Sequence, residues 1–293
     1  MYFTVFTPTY NRAYILEQAY NSLCCQTYKD FKWLIMDDGS EDGTDQLISS
    51  WIDEKKIRIE YYRQSNQGRF AAYNNAIPYF EGELFVPLDS DDFLKPDALD
   101  IIYENWERRD KSHKLIGVIS AMEHGDGKTI GMELPNINCV TTLELNDKYR
   151  TSGDKHKCYV IESIEKYKYP VFENEKFIGD SLLHYWLDSE GALLVLQDKF
   201  YVRDYLPDSL TRNIAKVHYK SPRGMALYYK SIFPLLKQNK KKKIMYAIKY
   251  VAFSRLCSNK VFEKDTKQKV LVALAFLPGV IYAQMVKRVG QVH

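Results

Sequence analysis

Cysteine is scarce in this sequence, and no two cysteines have the spacing of a redox or metal motif. The chain has five cysteines in 293 residues, an odd number, and none stands in a C-x-x-C pattern. The neighbours Cys24 and Cys25 fall in a predicted helix and cannot form an ordinary bridge. A disulfide framework is therefore disfavoured, and we expect the protein to work in a reducing compartment.

The sequence also lacks a dinucleotide fingerprint and a long uninterrupted apolar run. No G-x-G-x-x-G follows the first predicted strand, so a hydride-transfer enzyme has little support. The apolar run from Val270 to Val286 is about 17 residues long, at the short edge for crossing a bilayer, and Pro278-Gly279 interrupts it. Because the N-terminus enters a strand at once, it leaves no room for a signal peptide, and we expect a cytoplasmic protein.

The chain does have enough apolar residues for a full hydrophobic core. Hydrophobic residues make up 45% of the sequence, and the formal net charge is a mild +3. This size and composition predict one main domain with an appendage. We place the main domain at residues 1–213, with parts at 1–110 and 111–213, and a basic, apolar helical region at 214–293.

The most informative stretch is a short apolar strand that ends in carboxylates. Leu84 to Leu88 is followed by Asp89, Asp91 and Asp92, three acids within four positions. Like charges at this spacing repel each other unless a cation joins them, and oxygen ligands suit Mg²⁺ or Mn²⁺. The alternative is a solvated turn in which Asp92 caps a helix that begins at about Phe93.

The first hundred residues alternate between strands and helices. Strands are predicted at Phe3–Phe6, Phe31–Met36, Ile57–Tyr62 and Leu84–Leu88, with helices opening at Asn11, near Thr44 and at Phe70. Such alternation predicts a Rossmann-like α/β layer with parallel strands. Ligands bind outside the carboxyl ends of such strands. The polar residues that follow these strands therefore share one rim: Thr7, Thr9, Asp38, Arg69, Asp89 and Asp91.

The order of the rim motifs resembles that of family 2 glycosyltransferases. The match comprises Thr7-Pro8-Thr9-Tyr10-Asn11-Arg12, Asp37-Asp38-Gly39-Ser40, Asn66-Gln67-Gly68-Arg69 and Asp89-Ser90-Asp91-Asp92. The resemblance covers about the first 110 residues, and it implies a nucleotide-sugar-binding sheet of the GT-A type. The region at 111–213 would then serve the acceptor.

The resemblance also implies roles for particular residues. Thr7, Pro8, Tyr10 and Asp38 would hold the base and ribose, and a carboxylate suits this role because it accepts from an imide N–H or from hydroxyls. Asn66, Gly68 and Arg69 would lie against the nucleotide or its diphosphate. Asp89 and Asp91 would form the Asp-x-Asp pair, with Asp91 on the metal and Asp89 on the ribose or a metal-bound water.

Transfer to a hydroxyl needs a base, and the candidate lies well downstream. The segment from Tyr169 to Leu183 resembles the part of the family in which an acid precedes the helix under the acceptor site, and Asp180 fills that position. Gly179 stands where a second acid is often found. Asp180 could also simply cap a helix at Ser181–Leu187, and Glu175 is the second candidate for the base.

Two further segments resemble parts of such sites. Thr151-Ser152-Gly153-Asp154-Lys155 resembles an element of bacterial polysaccharide transferases in which the acid faces a sugar. The segment from Arg203 to Arg212 resembles the region that folds over the diphosphate, where hydroxyls and basic groups suit phosphate oxygens. An ordinary polar loop is the alternative for the second segment.

An excess of positive charge is concentrated in the last eighty residues. The lysine run Lys240–Lys243 is followed by two apolar stretches, and basic clusters beside amphipathic helices bind anionic lipids. We expect association with the inner face of the cytoplasmic membrane. The alternative is a basic helical hairpin that packs on the main domain or on a partner. Nucleic acid is disfavoured, because the aromatic residues lie within apolar runs.

These features together predict a metal-dependent, inverting glycosyltransferase. The donor would be a nucleotide sugar, with UDP as the expected nucleotide, and the acceptor a hydroxyl of a bacterial surface glycan or its lipid-linked precursor. A sugar nucleotidyltransferase is an alternative, but its glycine-rich, lysine-containing first loop is missing. A non-catalytic nucleotide- or glycan-binding module is the other alternative, since the Gly179-Asp180 element departs from the family pattern.

Overall fold

The structure, a computed structural model, describes residues 1–203, 214–257 and 268–291, which fall into two compact units. Unit 1 contains residues 1–141, 151–168 and 187–203. Unit 2 contains residues 142–150, 169–186 and the described residues from 214 onward. This grouping differs from the predicted boundary at residue 213, because two internal segments pack with the C-terminal helices.

Unit 1 is built from strands and helices that alternate along the first part of the chain. Its strands are β1 (Phe3–Thr9), β2 (Phe31–Asp37), β3 (Arg58–Arg63), β4 (Leu84–Pro87), β5 (Asp92–Leu94), β6 (Leu115–Glu123), β7 (Cys139–Val140), β8 (Lys155–Val160) and β9 (Ala192–Arg203). Its helices are α1 (Leu16–Cys24), α2 (Thr44–Glu54), α3 (Arg69–Ala76), α4 (Ala98–Glu107) and α6 (Ile161–Ile164).

These strands form one mixed sheet in the order β3-β2-β1-β4-β8-β6-β9-β5, with β7 paired to β9. Strands β1 to β4 are parallel, which confirms the predicted Rossmann-like layer. Strand β8 runs antiparallel to both β4 and β6, and β5 runs antiparallel to β9. The predicted parallel sheet is therefore correct for the first four strands, and the later strands extend it as a mixed sheet.

Helix α1 shows how the sequence pattern produces the core. Its buried residues Leu16, Ala19, Tyr20 and Leu23 recur at the spacing of one helical face. The Tyr20 ring stacks on Trp51 of α2, with 4.3 Å between ring centroids. The helix begins at Leu16, not at Asn11 as predicted, because Asn11 has a φ of +52°, outside the helical region.

Helices predominate in the described residues of unit 2. Its helices are α5 (Thr142–Asp147), α7 (Leu182–Leu187), α8 (Ile214–Lys220), α9 (Pro222–Ile232), α10 (Lys240–Leu256), α11 (Lys269–Leu274) and α12 (Phe276–Gln291). A small core joins Tyr185 of α7 to Ile232 and Leu236, with Leu143 of α5 packed against it. Across the described ranges, no helix has both the length and the apolar character needed to traverse a bilayer.

Asp147 fixes the start of α10. Its buried carboxylate accepts hydrogen bonds from the backbone N–H groups of Lys237, Gln238 and Asn239 at 2.7–3.0 Å. Burial alone would raise the pKa of Asp147, but these donors outweigh it and lower the pKa. The segment 142–150 therefore belongs with the C-terminal helices, although sheet strands flank it in the sequence.

Candidate active site

The carboxyl ends of the parallel strands bring the second and third predicted motifs together. Asp38, directly after β2, is buried and accepts from the N–H of Gln67 at 2.8 Å and of Gly68 at 2.7 Å. Gly68 has a φ of +95°, a conformation that favours glycine, and it leads into α3. Asp38 thus holds the loop that carries Asn66 and Arg69, and its contact with a nucleotide stays a prediction.

A second glycine lets the two loops approach each other. Gly39 has a φ of +86°, and a Cβ there would lie 3.1 Å from the backbone nitrogen of Asn66. Asn11 connects the first loop to the same place, since its N–H donates to Ser40 Oγ at 2.8 Å. The loops after β1, β2 and β3 are therefore bound to one another at this edge of the sheet.

The predicted residues of the first loop differ in exposure. The Thr7 side chain is fully buried, donates to the Leu88 carbonyl at 2.7 Å and accepts from Trp33 Nε1 at 2.8 Å. Its hydroxyl thus binds neighbouring strands, so we leave Thr7 out of the proposed donor site. Pro8 is half-buried, and Tyr10 is 46% exposed. Tyr10 can therefore meet a base or ribose.

Asp89 is held between two arginines. Arg69 Nη2 lies 3.3 Å from its Oδ1, and Arg203 Nη2 lies 2.8 Å from its Oδ2. Burial alone would raise the pKa of Asp89, but the two guanidinium groups outweigh it and lower the pKa. Asp89 is thus kept ionised by the protein's own cations.

Asp92 lies in strand β5, so the alternative in which it caps a helix is wrong. It pairs with Arg203 of β9, and α4 begins at Ala98 with Asp97 at its N-cap position. Its Oδ2 accepts from the Tyr201 hydroxyl at 2.6 Å and from Arg203 Nε at 2.9 Å. Burial and the neighbouring acids raise the pKa of Asp92 to about 7, against the influence of Arg203.

Asp91 differs from its neighbours in its electrostatic environment. Within the described ranges no cation forms a salt bridge with it, whereas Arg203 binds both Asp89 and Asp92. Burial and the Asp89 charge raise the pKa of Asp91, and Arg12 and Arg203 oppose this shift. A divalent cation would remove this repulsion, so the half-buried Asp91 carboxylate fits a metal ligand.

The side chains near Asp91 limit the number of protein ligands that a metal could have. In the part of the chain that the structure describes, no three His, Cys, Asp or Glu side chains converge as a metal site. Mg²⁺ and Mn²⁺ are commonly bound through one or two carboxylates, with substrate phosphates and water completing the shell. Binding through Asp91 alone is compatible with this chemistry.

Three residues that the sequence analysis did not assign to the site form its inner wall. Tyr201 accepts from the Asp89 N–H at 3.1 Å and stacks on His156, with ring centroids 4.3 Å apart. His156 Nε2 lies 2.8 Å from the Pro87 carbonyl oxygen, and burial lowers the pKa of this imidazole to about 4. Arg203 was noted as the start of a phosphate segment, not as a partner of Asp89. A sequence signal did exist, because Tyr201 and Arg203 stand two apart on one strand face.

The segment around Asp154 also reaches Arg203. Asp154 Oδ2 lies 2.8 Å from Arg203 Nη1. Lys155 Nζ donates to the Ser152 carbonyl at 3.0 Å, and a Cβ at Gly131 would lie 2.3 Å from that same oxygen. The close approach at Gly131 thus positions the loop that carries Asp154. The rest of the predicted phosphate segment, residues 204–212, lies outside the described residues.

Replacing Arg203 by methionine is expected to lower the free energy of unfolding by about 3 kcal/mol, because it removes the guanidinium shared by three carboxylates. Urea unfolding followed by circular dichroism measures the loss. Arg108→Met is the control, since Arg108 is 79% exposed and its described salt bridge is to Glu104, four residues earlier. That change should cost at most about 0.5 kcal/mol. Equal losses in the two variants would contradict a stabilising role for Arg203.

The predicted bases lie in unit 2. Asp180 is exposed and precedes α7, which begins at Leu182, one residue later than predicted. Glu175 has a buried carboxylate that accepts from the N–H of Arg223 at 3.1 Å and of Gly224 at 3.0 Å, and it also binds Arg223 Nε. Because both Glu175 oxygens hold the start of α9, we do not retain it as a candidate base.

The glycine at the position of the second acid has a local explanation. A Cβ on Gly179 would lie 2.2 Å from Cδ2 of the Tyr228 ring, so a larger side chain does not fit there. The Tyr228 hydroxyl in turn lies 2.9 Å from Ser181 Oγ. Tyr228 therefore occupies the space that a second acid would need.

The sheet and the motifs along its rim are consistent with a glycosyltransferase. Residues 4–163 match the family model described as Glycosyl transferase family 2, which is more than half of the chain. The chain therefore belongs to this family and is a glycosyltransferase, as its motifs predicted.

Particular relatives and structures support the same class. An uncharacterised glycosyltransferase of Nostoc is 34% identical over 132 residues, 44% of this chain and 40% of the relative. The GalNAc(5)-diNAcBac-PP-undecaprenol beta-1,3-glucosyltransferase of Campylobacter jejuni is 33% identical over 103 residues, 34% of this chain and 33% of the relative. The matches thus span well under two thirds of these two proteins.

The crystal structure of Staphylococcus aureus TarS 1-349 in complex with UDP-GlcNAc is similar over nearly the whole chain. It aligns with a TM-score of 0.65 at 18% identity and covers 98% of this chain and 91% of that chain. The likeness confirms the predicted GT-A-type fold, including the helices that follow the sheet.

Proposed function

We propose that the protein is a metal-dependent, inverting glycosyltransferase that uses a UDP-sugar. The main support for this proposal is the carboxylate cluster at the strand ends. Arginines bind Asp89 and Asp92 there, and Asp91 is left to bind a cation. A UDP donor is favoured by the likeness to TarS, which was solved with UDP-GlcNAc. The proposed donor residues are Pro8, Tyr10, Asp38, Asn66, Gly68, Arg69 and Asp89.

The reaction follows from the charges at the site. Asp91 would hold Mn²⁺ or Mg²⁺, which when bound acts as a Lewis acid on the departing diphosphate. Arg69 and Arg203 offset the charges of Asp89 and Asp92, so that these acids repel the increasingly negative leaving group less. Asp180 would accept the proton of the acceptor hydroxyl as that oxygen attacks the anomeric carbon from the face opposite the diphosphate. A single displacement of this kind inverts the configuration at that carbon.

We also propose that the acceptor is a lipid-linked glycan precursor met at the inner face of the cytoplasmic membrane. The name of the Campylobacter relative includes an undecaprenol-linked acceptor. In this chain, residues 214–262 contain no Asp or Glu, whereas lysines and arginines are frequent. Such a basic region attracts anionic lipid headgroups.

A donor titration tests the proposed reaction class. Purified protein is titrated by calorimetry with UDP-, GDP-, dTDP- and CMP-sugars, with and without Mn²⁺. We expect one UDP-sugar to bind and Mn²⁺ to tighten its binding at least tenfold, because a cation held by Asp91 would offset the negative charge of the donor. A folded protein that binds none of these donors would contradict the transferase assignment. Release of pyrophosphate from a nucleoside triphosphate and a sugar phosphate would instead identify a nucleotidyltransferase.

A further inference from the structure

The helices α11 and α12 have an unusual distribution of side-chain size. Their inner face is formed by small residues, Ala275, Gly279 and Ala283, which are buried at four-residue spacing. A Cβ on Gly279 would lie 2.6 Å from Cγ1 of Val251 in α10. The inner face therefore admits no larger residue at Gly279, and α12 packs closely on α10.

The large apolar residues lie on the opposite face. Six residues recur at steps of three or four, which places them on one side of the helices. They are between 56% and 77% exposed, and we call them the outer stripe: Val270, Leu274, Leu277, Ile281, Met285 and Val289. In a surface helix of a globular protein the large apolar side chains normally face the core. An exposed apolar face of this length marks an interaction surface.

Positive charge surrounds the outer stripe. Lys269 lies at one end, and Lys287 and Arg288 lie exposed at the other. Arg255 approaches the Phe276 ring while Lys249 approaches the Tyr282 ring, so α10 and α12 run antiparallel. The first turn of α10, with its exposed lysines, thus lies at the same end as Lys287 and Arg288.

We propose that the outer stripe seats unit 2 on the surface of an anionic lipid bilayer. The apolar side chains would enter the boundary between headgroups and acyl chains, and the flanking cations would bind lipid phosphates. A second copy of the chain fits less well, because apposing two such faces would bring like charges together. This proposal rests on the proposed function in one respect, the position of a lipid-linked acceptor at the membrane. It identifies the surface through which the enzyme would approach that acceptor.

Flotation with phospholipid vesicles tests this surface. The full chain is mixed with vesicles of phosphatidylcholine and phosphatidylglycerol, and the bound fraction is measured at low and high salt. Leu277→Gln with Ile281→Gln should lower the partition coefficient between vesicles and water at least about tenfold. The reason is that two apolar side chains are no longer available for transfer from water into the bilayer. Lys287→Glu with Arg288→Glu should weaken the preference for anionic over neutral vesicles, and Lys269 and the lysines of α10 should keep part of it.

The control removes two exposed apolar residues elsewhere. Ile52→Gln with Val171→Gln takes away side chains that are 39% and 60% exposed and lie outside the stripe, so vesicle binding should be unchanged. Circular dichroism checks that each variant is folded. An equal loss of vesicle binding in the Leu277/Ile281 variant and in the Ile52/Val171 control would overturn the proposal. No vesicle binding by the wild type would also overturn it. The proposal would also be overturned if sedimentation showed a dimer of the wild type, and if Leu277→Gln with Ile281→Gln dissociated that dimer without changing vesicle binding.

Donor titration on the same preparation separates this proposal from the proposed function. Protein that floats with anionic vesicles but binds no nucleotide sugar would contradict the transferase reaction and leave the membrane surface intact. Protein that binds a UDP-sugar with Mn²⁺ but does not float would contradict the membrane surface alone.

Discussion

Asp91→Asn is expected to abolish the Mn²⁺-dependent part of donor binding and to lower kcat/KM at least about 100-fold. The neutral amide is a weaker ligand for a divalent cation, and the cation contributes several kcal/mol to charge stabilisation in the transition state. Calorimetric titration of the variant with a UDP-sugar, with and without Mn²⁺, measures the first effect. A transfer assay measures the second.

Asp97→Asn is the matched control for this change. Asp97 is an exposed acid in the same stretch of chain, at the start of α4, and its side chain makes no capping hydrogen bond. Donor binding should keep its Mn²⁺ dependence in this variant. If Asp91→Asn also kept that dependence, the metal would have to be held by other residues.

Asp180→Asn is expected to leave donor affinity unchanged and to lower the transfer rate by about 10²- to 10⁴-fold. The amide retains the size of the side chain but cannot take a proton from the acceptor hydroxyl, and a positioned base contributes this range. Steady-state kinetics should show the loss in kcat, while calorimetry shows an unaltered dissociation constant for the donor.

Glu173→Gln supplies the comparison for Asp180. Glu173 is an exposed acid seven residues upstream in the same unit, and its conversion to the amide should leave the transfer rate within about twofold. A drop in donor affinity in Asp180→Asn equal to that in Asp91→Asn would refute the separation of metal binding from proton transfer. The reaction would then need a different base.

The first four strands could be predicted because local pattern determines them. Each is a short apolar run followed by a polar turn, and the parallel order follows from the helices between them. The same reasoning located Asp38, Arg69 and Asp89 at the strand ends, where the structure indeed joins Arg69 to Asp89.

The position of Asp92 could not be predicted, because it depends on residues far along the chain. Strand β5 has three residues and exists through its pairing with β9, which begins one hundred residues later. Locally, the residues from Phe93 to Leu99 resemble a helix start, but Lys95 N–H binds the Phe200 carbonyl instead. A tertiary hydrogen bond thus outweighs the local preference.

The salt bridges of Arg203 were the other feature that could not be predicted from the sequence. The acids at 89–92 were expected to need a metal to relieve their repulsion, but Arg203 already neutralises two of them. Since Arg203 lies more than one hundred residues downstream, sequence proximity gives no indication of this partner. The prediction of Asp91 as the metal ligand stays a prediction, and it is favoured because the salt bridges of Arg203 go to Asp89 and Asp92.

The hydrogen bonds of Asp147 bear on how such a gene can be rearranged. Its carboxylate, encoded between two sheet strands, accepts the backbone N–H groups that open α10 ninety residues later. Recombination that replaced the 3′ end of the coding sequence would leave this buried acid without donors, at a cost of several kcal/mol. The helical unit is therefore not a cassette that can be exchanged by one crossover, and it must be inherited together with the inserts at 142–150 and 169–186.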